Sequence, residues 1–386
     1  SIFTLMLAAF LATSAVRKDI QISSVDFVIV LFSFWCIAAS IVYMDKASGR
    51  EVAKLLVPLW TYIVAKNILR TPDDYRRMLK FLILGFVLPA CLSAVLIFRG
   101  KGVEVTDYWT GIERWKGAYA GSHSLGHNMA FLLITIASYL WLSRSTTRRW
   151  KLGRITTVGL IGLISAALYC LYFSQVRTAT LGLLVFVIIF LFAYNRKLLT
   201  VFVVAGSIAA VVSLPILIPR FFNDFVMVQE GKWDSEEFGS GRPRIWQNNL
   251  EIYAGMPIDR QLAGVGIGNK WGLGGEEGIM DSHSDFLDVL IQTGVIGFLL
   301  FILIQVLFIK KIVSLPREEK YLFVAIFVAV AIMNVISNSY VTRFGLAQLY
   351  YLLIAYVELV SRQREIEAST VNVPHQATTR LISGGR

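Results

Sequence analysis

The sequence predicts an all-α, polytopic integral membrane protein. Of its 386 residues, 56% are hydrophobic and only 16% are charged, and the mean hydropathy is +0.62. A water-soluble globular chain of this length carries more charge and less apolar surface. The aromatic content of 13% agrees with lipid-facing surfaces flanked by interfacial belts of Trp and Tyr.

Successive apolar runs give about eleven predicted transmembrane helices, each near the length that crosses a bilayer. The runs cover the start of the sequence up to Val16 and residues 22–44, 52–69, 78–98, 125–142, 154–173, 178–194, 199–218, 285–308, 321–340 and 344–360. The sequence begins inside the first run, and no basic segment precedes it. We therefore expect an earlier portion with a twelfth helix rather than a signal peptide.

One large polar segment interrupts the apolar runs between the eighth and ninth predicted helices. It is rich in Gly, Trp and charge, so we expect it to lie in water rather than in lipid. The chain therefore divides into transmembrane helices (1–218), a polar loop domain (219–284), further transmembrane helices (285–361) and a tail (362–386). The tail is polar and is predicted to be disordered.

The basic residues predict how the chain is oriented. They cluster on alternate connections between the predicted helices, and the positive-inside rule assigns such connections to the cytoplasm. The other side of the membrane then receives residues 99–124, the turn at 175–178, the polar loop domain and the turn at 340–343. This topology accounts for the net charge of +11, so nucleic acid is not an expected partner.

A histidine stands between carboxylates where the polar loop domain meets an apolar run. The sequence there is Asp281-Ser282-His283-Ser284-Asp285. A histidine at such an entrance can exchange a proton near neutral pH and is reachable by polar substrates. The alternative is structural: Ser282 or Asp281 caps the following helix, and Asp285 supports its first turn.

Arg177 is the most informative arginine on the same side of the membrane. It stands in a very short connection between two apolar runs, where a small turn would be enough. It either binds an anionic ligand or extends to the lipid headgroups. Arg343 lies in the last turn on this side.

The polar loop domain contains two arginines around a proline, Arg242-Pro243-Arg244, ahead of a predicted helix that runs through Tyr253. Guanidinium groups bind phosphate in bidentate fashion, and the start of a helix adds backbone donors, so a diphosphate is a natural ligand. The alternative is a solvated basic loop.

The sequence predicts neither a metal nor a cofactor. His123 and His127 have the spacing of a zinc pair on a helix, but no third ligand is near, so they are expected to line a cavity. The glycines at 264–268 lack the βαβ unit that surrounds a nucleotide loop. The three cysteines lie in apolar runs, without the spacing of a metal site or a disulfide framework.

From His283 onward the sequence resembles the bacterial O-antigen ligases. His283 and Ser284 are followed by nine residues and then by Gly294-Val295-Ile296-Gly297, which is similar to the family signature His-[Ser/Asn/Gln]-x9-Gly-x-x-[Gly/Thr/Tyr]. The motif also stands where that family has it, after a large loop late in a chain of many helices. O-antigen polymerases and protein O-oligosaccharyltransferases share a similar architecture.

The resemblance implies an inverting, metal-independent glycosyltransferase of the bacterial inner membrane whose active site faces the periplasm. It would transfer O-antigen polysaccharide from undecaprenyl diphosphate to the lipid A core oligosaccharide, among membrane lipids, and so complete lipopolysaccharide. The family's essential histidine corresponds to His283, and its arginine at a helix end corresponds to Arg177. Its loop arginine corresponds to Arg242, with Arg244 as a rival.

Transfer from a polyprenyl diphosphate has two chemical requirements. The leaving diphosphate must be stabilised, which the arginines would do, and the acceptor hydroxyl must lose a proton, which His283 would accept. Either of two carboxylates would orient the imidazole. The supporting residues are expected to be Asp281, Ser284, Asp285, His127 and Arg343.

Other functions use a similar chain. An O-antigen polymerase or a protein O-oligosaccharyltransferase would use the same donor. A polyprenyl-lipid transporter would also have many helices, but transporters often contain internal repeats and charged or broken helices at mid-membrane. The sequence shows no repeat, and its ionisable residues cluster at one face, which favours an enzyme.

Overall fold

The computed structural model describes residues 21–42, 48–106, 113–144, 154–201, 203–204, 226–231, 241–269, 281–337 and 344–371. The predicted span up to Val16, most of the one at 199–218, and Arg343 lie outside these residues.

Long helices form most of the described chain, as predicted. They are α1 (Ser24–Val42), α2 (Ser48–Ile68), α3 (Pro72–Phe98), α4 (Ser122–Arg144), α5 (Arg154–Ser174), α6 (Arg177–Tyr194), α7 (Arg242–Ala254), α8 (Ile258–Ala263), α9 (Asp285–Val313), α10 (Arg317–Ile336) and α11 (Phe344–Val371). Among the described residues, seven helices are long and apolar enough to cross a membrane: α1, α3, α4, α5, α6, α9 and α10. The protein is therefore a multi-pass, all-α membrane protein.

The spanning helices give the bundle two distinct ends. Helix α10 packs antiparallel to α6, with Gly182 against Met333, and it follows α9 after a short turn. Helices α4, α6 and α9 therefore begin at the same end, which we name the His283 end. They finish at the opposite end, which we name the Arg144 end.

Helices α2 and α11 pack against each other inside the bundle and carry ionisable groups there. Tyr62 donates to Glu358 Oε1 at 2.6 Å, and the same oxygen pairs with Lys311 Nζ at 2.8 Å. Lys66 of α2 forms a buried ion pair with Asp26 of α1. Neighbouring helices supply partners that lipid would not, so ionisable residues are not confined to the one face that the sequence suggested.

The last helix extends further than predicted. It continues to Val371, so the tail boundary expected at residue 362 falls inside it. Arg362 donates to the carbonyl of Lys66 at 3.2 Å, and Arg364 donates to that of Ser314 at 2.6 Å. Arginines that bind carbonyls at the ends of other helices can hold a polar helical turn against the bundle, which hydropathy does not register.

Helix α9 is broken where the sequence predicts one continuous run. Gly294 has φ +66° and ψ −178°, outside the helical range. The break leaves carbonyls that an unbroken helix would pair with amides four residues later. The glycine-rich segment supplies donors instead: Val265 N donates to Ile291 O, and Gly266 N donates to Gln292 O, both at 3.1 Å.

Gly294 is expected to be intolerant of a side chain. A Cβ there would stand 2.2 Å from Leu262 O and 2.5 Å from Gly264 N, at a φ that L residues avoid. We expect Gly294→Ala to lower the free energy of unfolding by about 2–4 kcal/mol. Thermal unfolding in detergent measures this, with Gly345→Ala as the control because a Cβ at Gly345 meets nothing within 4 Å. Equal stability of the two variants would contradict the assigned break.

Residues 241–269 form a helical layer against the start of α9. Tyr253, Val265, Leu287 and Ile291 share a small apolar cluster, and α8 packs on α9. This part of the predicted polar loop domain is therefore fixed to the segment that contains His283.

A β-hairpin stands in the stretch predicted as a loop at 99–124. Strand β1 (Val103–Thr106) pairs antiparallel with β2 (Glu113–Trp115). The Trp115 ring meets Phe173 of α5 edge-on, with centroids 6.3 Å apart, and Ala118 N donates to Ser93 Oγ at 3.1 Å. The hairpin is thereby held over the His283 end, beside the start of α6.

Candidate functional site

His283 lies in a tight turn just before α9. Its φ is +48°, a left-handed conformation that is uncommon outside glycine and is several-fold enriched in His, Asn and Asp. Its side chain is 44% exposed. The imidazole is therefore not enclosed by the protein.

The helix cap is Ser284 rather than Ser282 or Asp281. Its side chain accepts from Leu287 N at 3.5 Å. The capping interpretation of the sequence was therefore wrong about the residue, because the left-handed turn at His283 separates the helix start from Ser282 and Asp281. The imidazole is left outside the cap.

Ser282 fixes the turn from inside. Its hydroxyl lies 2.6 Å from Asp288 Oδ1 and accepts from Ser284 N at 3.0 Å. Both Ser282 and Asp288 are fully buried. A buried carboxylate and hydroxyl that satisfy each other hold the backbone on both sides of His283.

Asp281, not Asp285, faces the imidazole. Asp281 Oδ2 lies 3.9 Å from His283 Nδ1, and Asp281 Oδ1 lies 3.5 Å from His283 N. Asp285 is fully buried in the first turn of α9, where a carboxylate suits the positive end of the helix. The sequence left the two open, and this geometry favours Asp281 as the residue that orients His283.

Helix α7 connects His283 to the far end of α10. Trp246 Nε1 donates to Ser282 O at 2.5 Å, and Arg242 Nη1 donates to Ile336 O at 2.5 Å. The predicted helix after Arg242 is confirmed, and Gly241 precedes it with φ +72°. Arg242 is half-buried and Arg244 is exposed, so the two rivals have different surroundings.

Arg177 is the first residue of α6, and Arg114 of strand β2 lies within its electrostatic reach. Burial lowers the pKa of Arg114, Glu104 opposes this, and the positive charge of Arg177 lowers that pKa further. Arg114 Nε is buried, and no described residue bonds to it. Two guanidinium groups held near a helix start suit a polyanion.

Glu104 of strand β1 adds a negative charge to the group formed by Arg177 and Arg114. It accepts from Ser122 N at 2.5 Å. Burial raises the pKa of Glu104, but the hydrogen bonds from Ser122 and the charges of Arg114 and Lys116 outweigh burial and lower it below its usual value. Glu104 is therefore ionised at neutral pH and compensates part of the positive charge, which leaves the group cationic.

His127 is a buried link between α4 and α6. Its Nδ1 lies 2.8 Å from His123 O, which makes Nδ1 the protonated nitrogen. Its Nε2 lies 3.4 Å from Thr178 Oγ1 and can accept from that hydroxyl. The described residues contain no group of three or more His, Cys, Asp or Glu that could hold a metal ion. His127 fixes the residue after Arg177, whereas the sequence expected it to line a cavity.

The predicted site residues thus form two groups at the His283 end. One contains Asp281, His283 and Ser284, to which Trp246 of α7 connects Arg242, and the other is built around Arg177. Helix α10 joins them, because it receives Arg242 at its end and packs along α6.

Sequence reasoning missed three residues of these groups. Arg114 and Glu104 lie in the connection at 99–124, which the sequence already assigns to this side, but that connection is long, so an arginine in it does not stand out as Arg177 does. Trp246 lies in the helix predicted after Arg242, and the sequence assigns it no further role. Its indole contact with Ser282 has no signal in the local sequence.

In a comparison with known families, the model of the O-antigen ligase family matches residues 162–302. The matched region, less than half of the chain, contains Arg177, Arg242, His283 and Gly294. No curated protein matches the chain. The match supports a place in the superfamily of O-antigen ligases and polymerases, whose members act on lipid-linked polysaccharide.

Proposed function

We propose that the protein is an inverting, metal-independent glycosyltransferase that transfers O-antigen polysaccharide from undecaprenyl diphosphate to the lipid A core oligosaccharide. The observation that carries the proposal is the setting of His283. Its half-exposed imidazole stands in a left-handed turn beside Asp281, at the same end of the bundle as three arginines.

The arginines would stabilise the leaving group. When the bond between the sugar and the diphosphate breaks, negative charge grows on the diphosphate, and fixed cations in a partly dry site lower the energy of that state. Arg177 and Arg114, whose charges interact, would both face this charge. Arg242, half-buried at the end of α10, is the third candidate.

His283 would act as the general base. It would accept the proton of the acceptor hydroxyl as the oxygen attacks the anomeric carbon, and Asp281 would hold the ring in place. Because the hydroxyl attacks from the face opposite the departing diphosphate, a single displacement inverts the anomeric centre. The proton ends on the imidazole and the bonding electron pair ends on the diphosphate.

The proposal includes the arrangement of the chain in the bacterial inner membrane. We assign 1–218 and 285–361 to the transmembrane region, 219–284 to a periplasmic domain and 362–386 to the cytoplasmic side. The positive-inside rule supports this orientation. The His283 end would then face the periplasm, where the glycan donor and the lipid A core are accessible.

Arg242 and Arg244 are expected to differ. Arg242 is half-buried and bonded to the end of α10, whereas Arg244 is exposed. We expect Arg242→Ala to lower the rate of transfer by at least about tenfold and Arg244→Ala to change it by less than about twofold. Steady-state transfer assays on both purified variants measure this. A larger loss at Arg244 would reverse the assignment.

Transfer is expected to survive chelation. The guanidinium groups supply the positive charge that a diphosphate needs, so exhaustive EDTA treatment should leave the rate within about twofold. The same assay with and without EDTA measures it. Loss of activity that a divalent cation restores would overturn the metal-free mechanism.

One reconstitution distinguishes the candidate functions. The purified protein in detergent, where no gradient exists, receives the polyprenyl diphosphate donor with lipid A core, with a second donor molecule, or with an acceptor protein. We expect glycan on lipid A core with an inverted linkage. Extension of the donor alone would indicate a polymerase, and a glycosylated protein would indicate an oligosaccharyltransferase. Absence of any product in detergent, with donor movement across liposomes in a separate assay, would indicate a transporter.

A further inference from the structure

A cavity of about 530 Å³ opens at the Arg144 end of the bundle, opposite His283. The last turns of α4 and α6 and the first turn of α10 surround it. Its lining includes Trp141, Arg144, Tyr194, Arg317, Glu318 and Tyr321. The site proposed for glycan transfer uses none of these residues.

The aromatic residues of the cavity hold one of its two arginines. The Arg144 guanidinium lies 5.7 Å from the Trp141 ring centroid and 5.0 Å from that of Tyr194. Contact with two aromatic faces fixes the plane of a guanidinium while its N–H edges stay available. The indole Nε1 of Trp141 in turn donates to Glu318 O at 3.1 Å, which joins α4 to α10.

The charge of the cavity favours an anion. Arg144 and Arg317 are both exposed, and within the described part of the chain no ion pair joins either to a carboxylate. Glu318 is the acidic residue of the lining. Two guanidinium groups against one carboxylate leave the lining positive.

The position of the cavity identifies the kind of anion. Three membrane-crossing helices begin or end here, and Trp and Tyr side chains at such a level mark the interface between lipid tails and water. The connections at this end carry the basic residues that predict the cytoplasmic side, where the leaflet presents anionic lipids. We propose that this cavity binds the phosphate-bearing headgroup of an anionic phospholipid from the cytoplasmic leaflet.

Titration of the purified full chain in detergent with a short-chain phosphatidylglycerol tests the proposal, with short-chain phosphatidylcholine as the neutral comparison. We expect phosphatidylglycerol to bind more tightly. Each arginine near a membrane surface contributes about fivefold to the affinity for an anionic lipid, so Arg144→Gln with Arg317→Gln should weaken binding by about 25-fold. Arg196→Gln is the control, since Arg196 lies over Phe192 at the same end but outside the lining.

A second variant is expected to tighten binding, which misfolding would not do. Glu318→Gln removes the carboxylate but keeps the backbone carbonyl that Trp141 uses, so it should tighten binding of phosphatidylglycerol by about fivefold. Equal affinity for phosphatidylcholine, an unchanged double variant, or an equal loss in Arg196→Gln would overturn the proposal. Displacement of the lipid by an equal concentration of inorganic phosphate would also overturn it, because the site would then be one for free phosphate.

Discussion

We expect His283→Ala to lower the rate of the proposed glycan transfer by about 10²–10⁴-fold, the usual contribution of a general base, and to leave the protein folded. The side chain is exposed enough to contribute little packing, and the helix cap belongs to Ser284. Donor binding should be unchanged, because the proposal assigns the diphosphate to the arginines and not to the imidazole. Transfer rate, donor affinity and melting temperature are measured on the same preparation.

The three readouts separate catalysis from structure. A catalytic His283 predicts a lost rate with the other two quantities retained. If His283→Ala transfers glycan within about twofold of wild type, or loses donor affinity as steeply as rate, the imidazole is not the base.

We expect Arg177→Ala to lower the rate of transfer by about 10²–10³-fold, because one fixed donor to a developing anion is removed. We expect Arg177→Lys to lower the rate of transfer nearly as much, because a compact ammonium cannot reproduce the planar, bidentate geometry of a guanidinium. The matched control is Arg196→Lys at the opposite end of the bundle, where the exposed side chain lies over Phe192 and transfer should be unaffected.

Arg114 extends this test to a pair. Its pKa is lowered partly by Arg177, so the two guanidinium groups sense each other's charge. If they bind one diphosphate together, the loss in the double variant Arg114→Ala with Arg177→Ala is smaller than the sum of the separate losses in free energy. Wild-type transfer by Arg177→Lys would instead make Arg177 a point charge or a group that extends to the headgroups.

The helices were predictable because their signal is local. A long apolar run indicates a membrane span, and the seven described helices that are long and apolar enough to cross a membrane fall on predicted runs. The helix after Arg242 was also readable, because a proline at a helix start is a local signal. His283 could be identified from the sequence for the same reason: its motif and its position after a polar segment are both visible in a short stretch of the chain.

The features that the sequence missed depend on contacts between distant segments. The break at Gly294 is supported by amides of Val265 and Gly266, and a glycine inside an apolar run does not by itself predict a break. The environment of Arg114 depends on a hairpin that folds back onto α4 and α5. The buried pair of Lys66 and Asp26 requires two helices to meet, which no hydropathy window contains.

The most direct test of His283 as the general base is His283→Asn, measured for single-turnover transfer with donor and lipid A core in detergent. Asn accepts a left-handed backbone as His does and fills a similar space, but it cannot take up a proton at neutral pH. If His283 is the general base, His283→Asn keeps the wild-type melting temperature and donor affinity, and its transfer rate falls by at least about 10²-fold. A His283→Asn protein that transfers glycan at the wild-type rate would contradict the assignment of His283 as the general base.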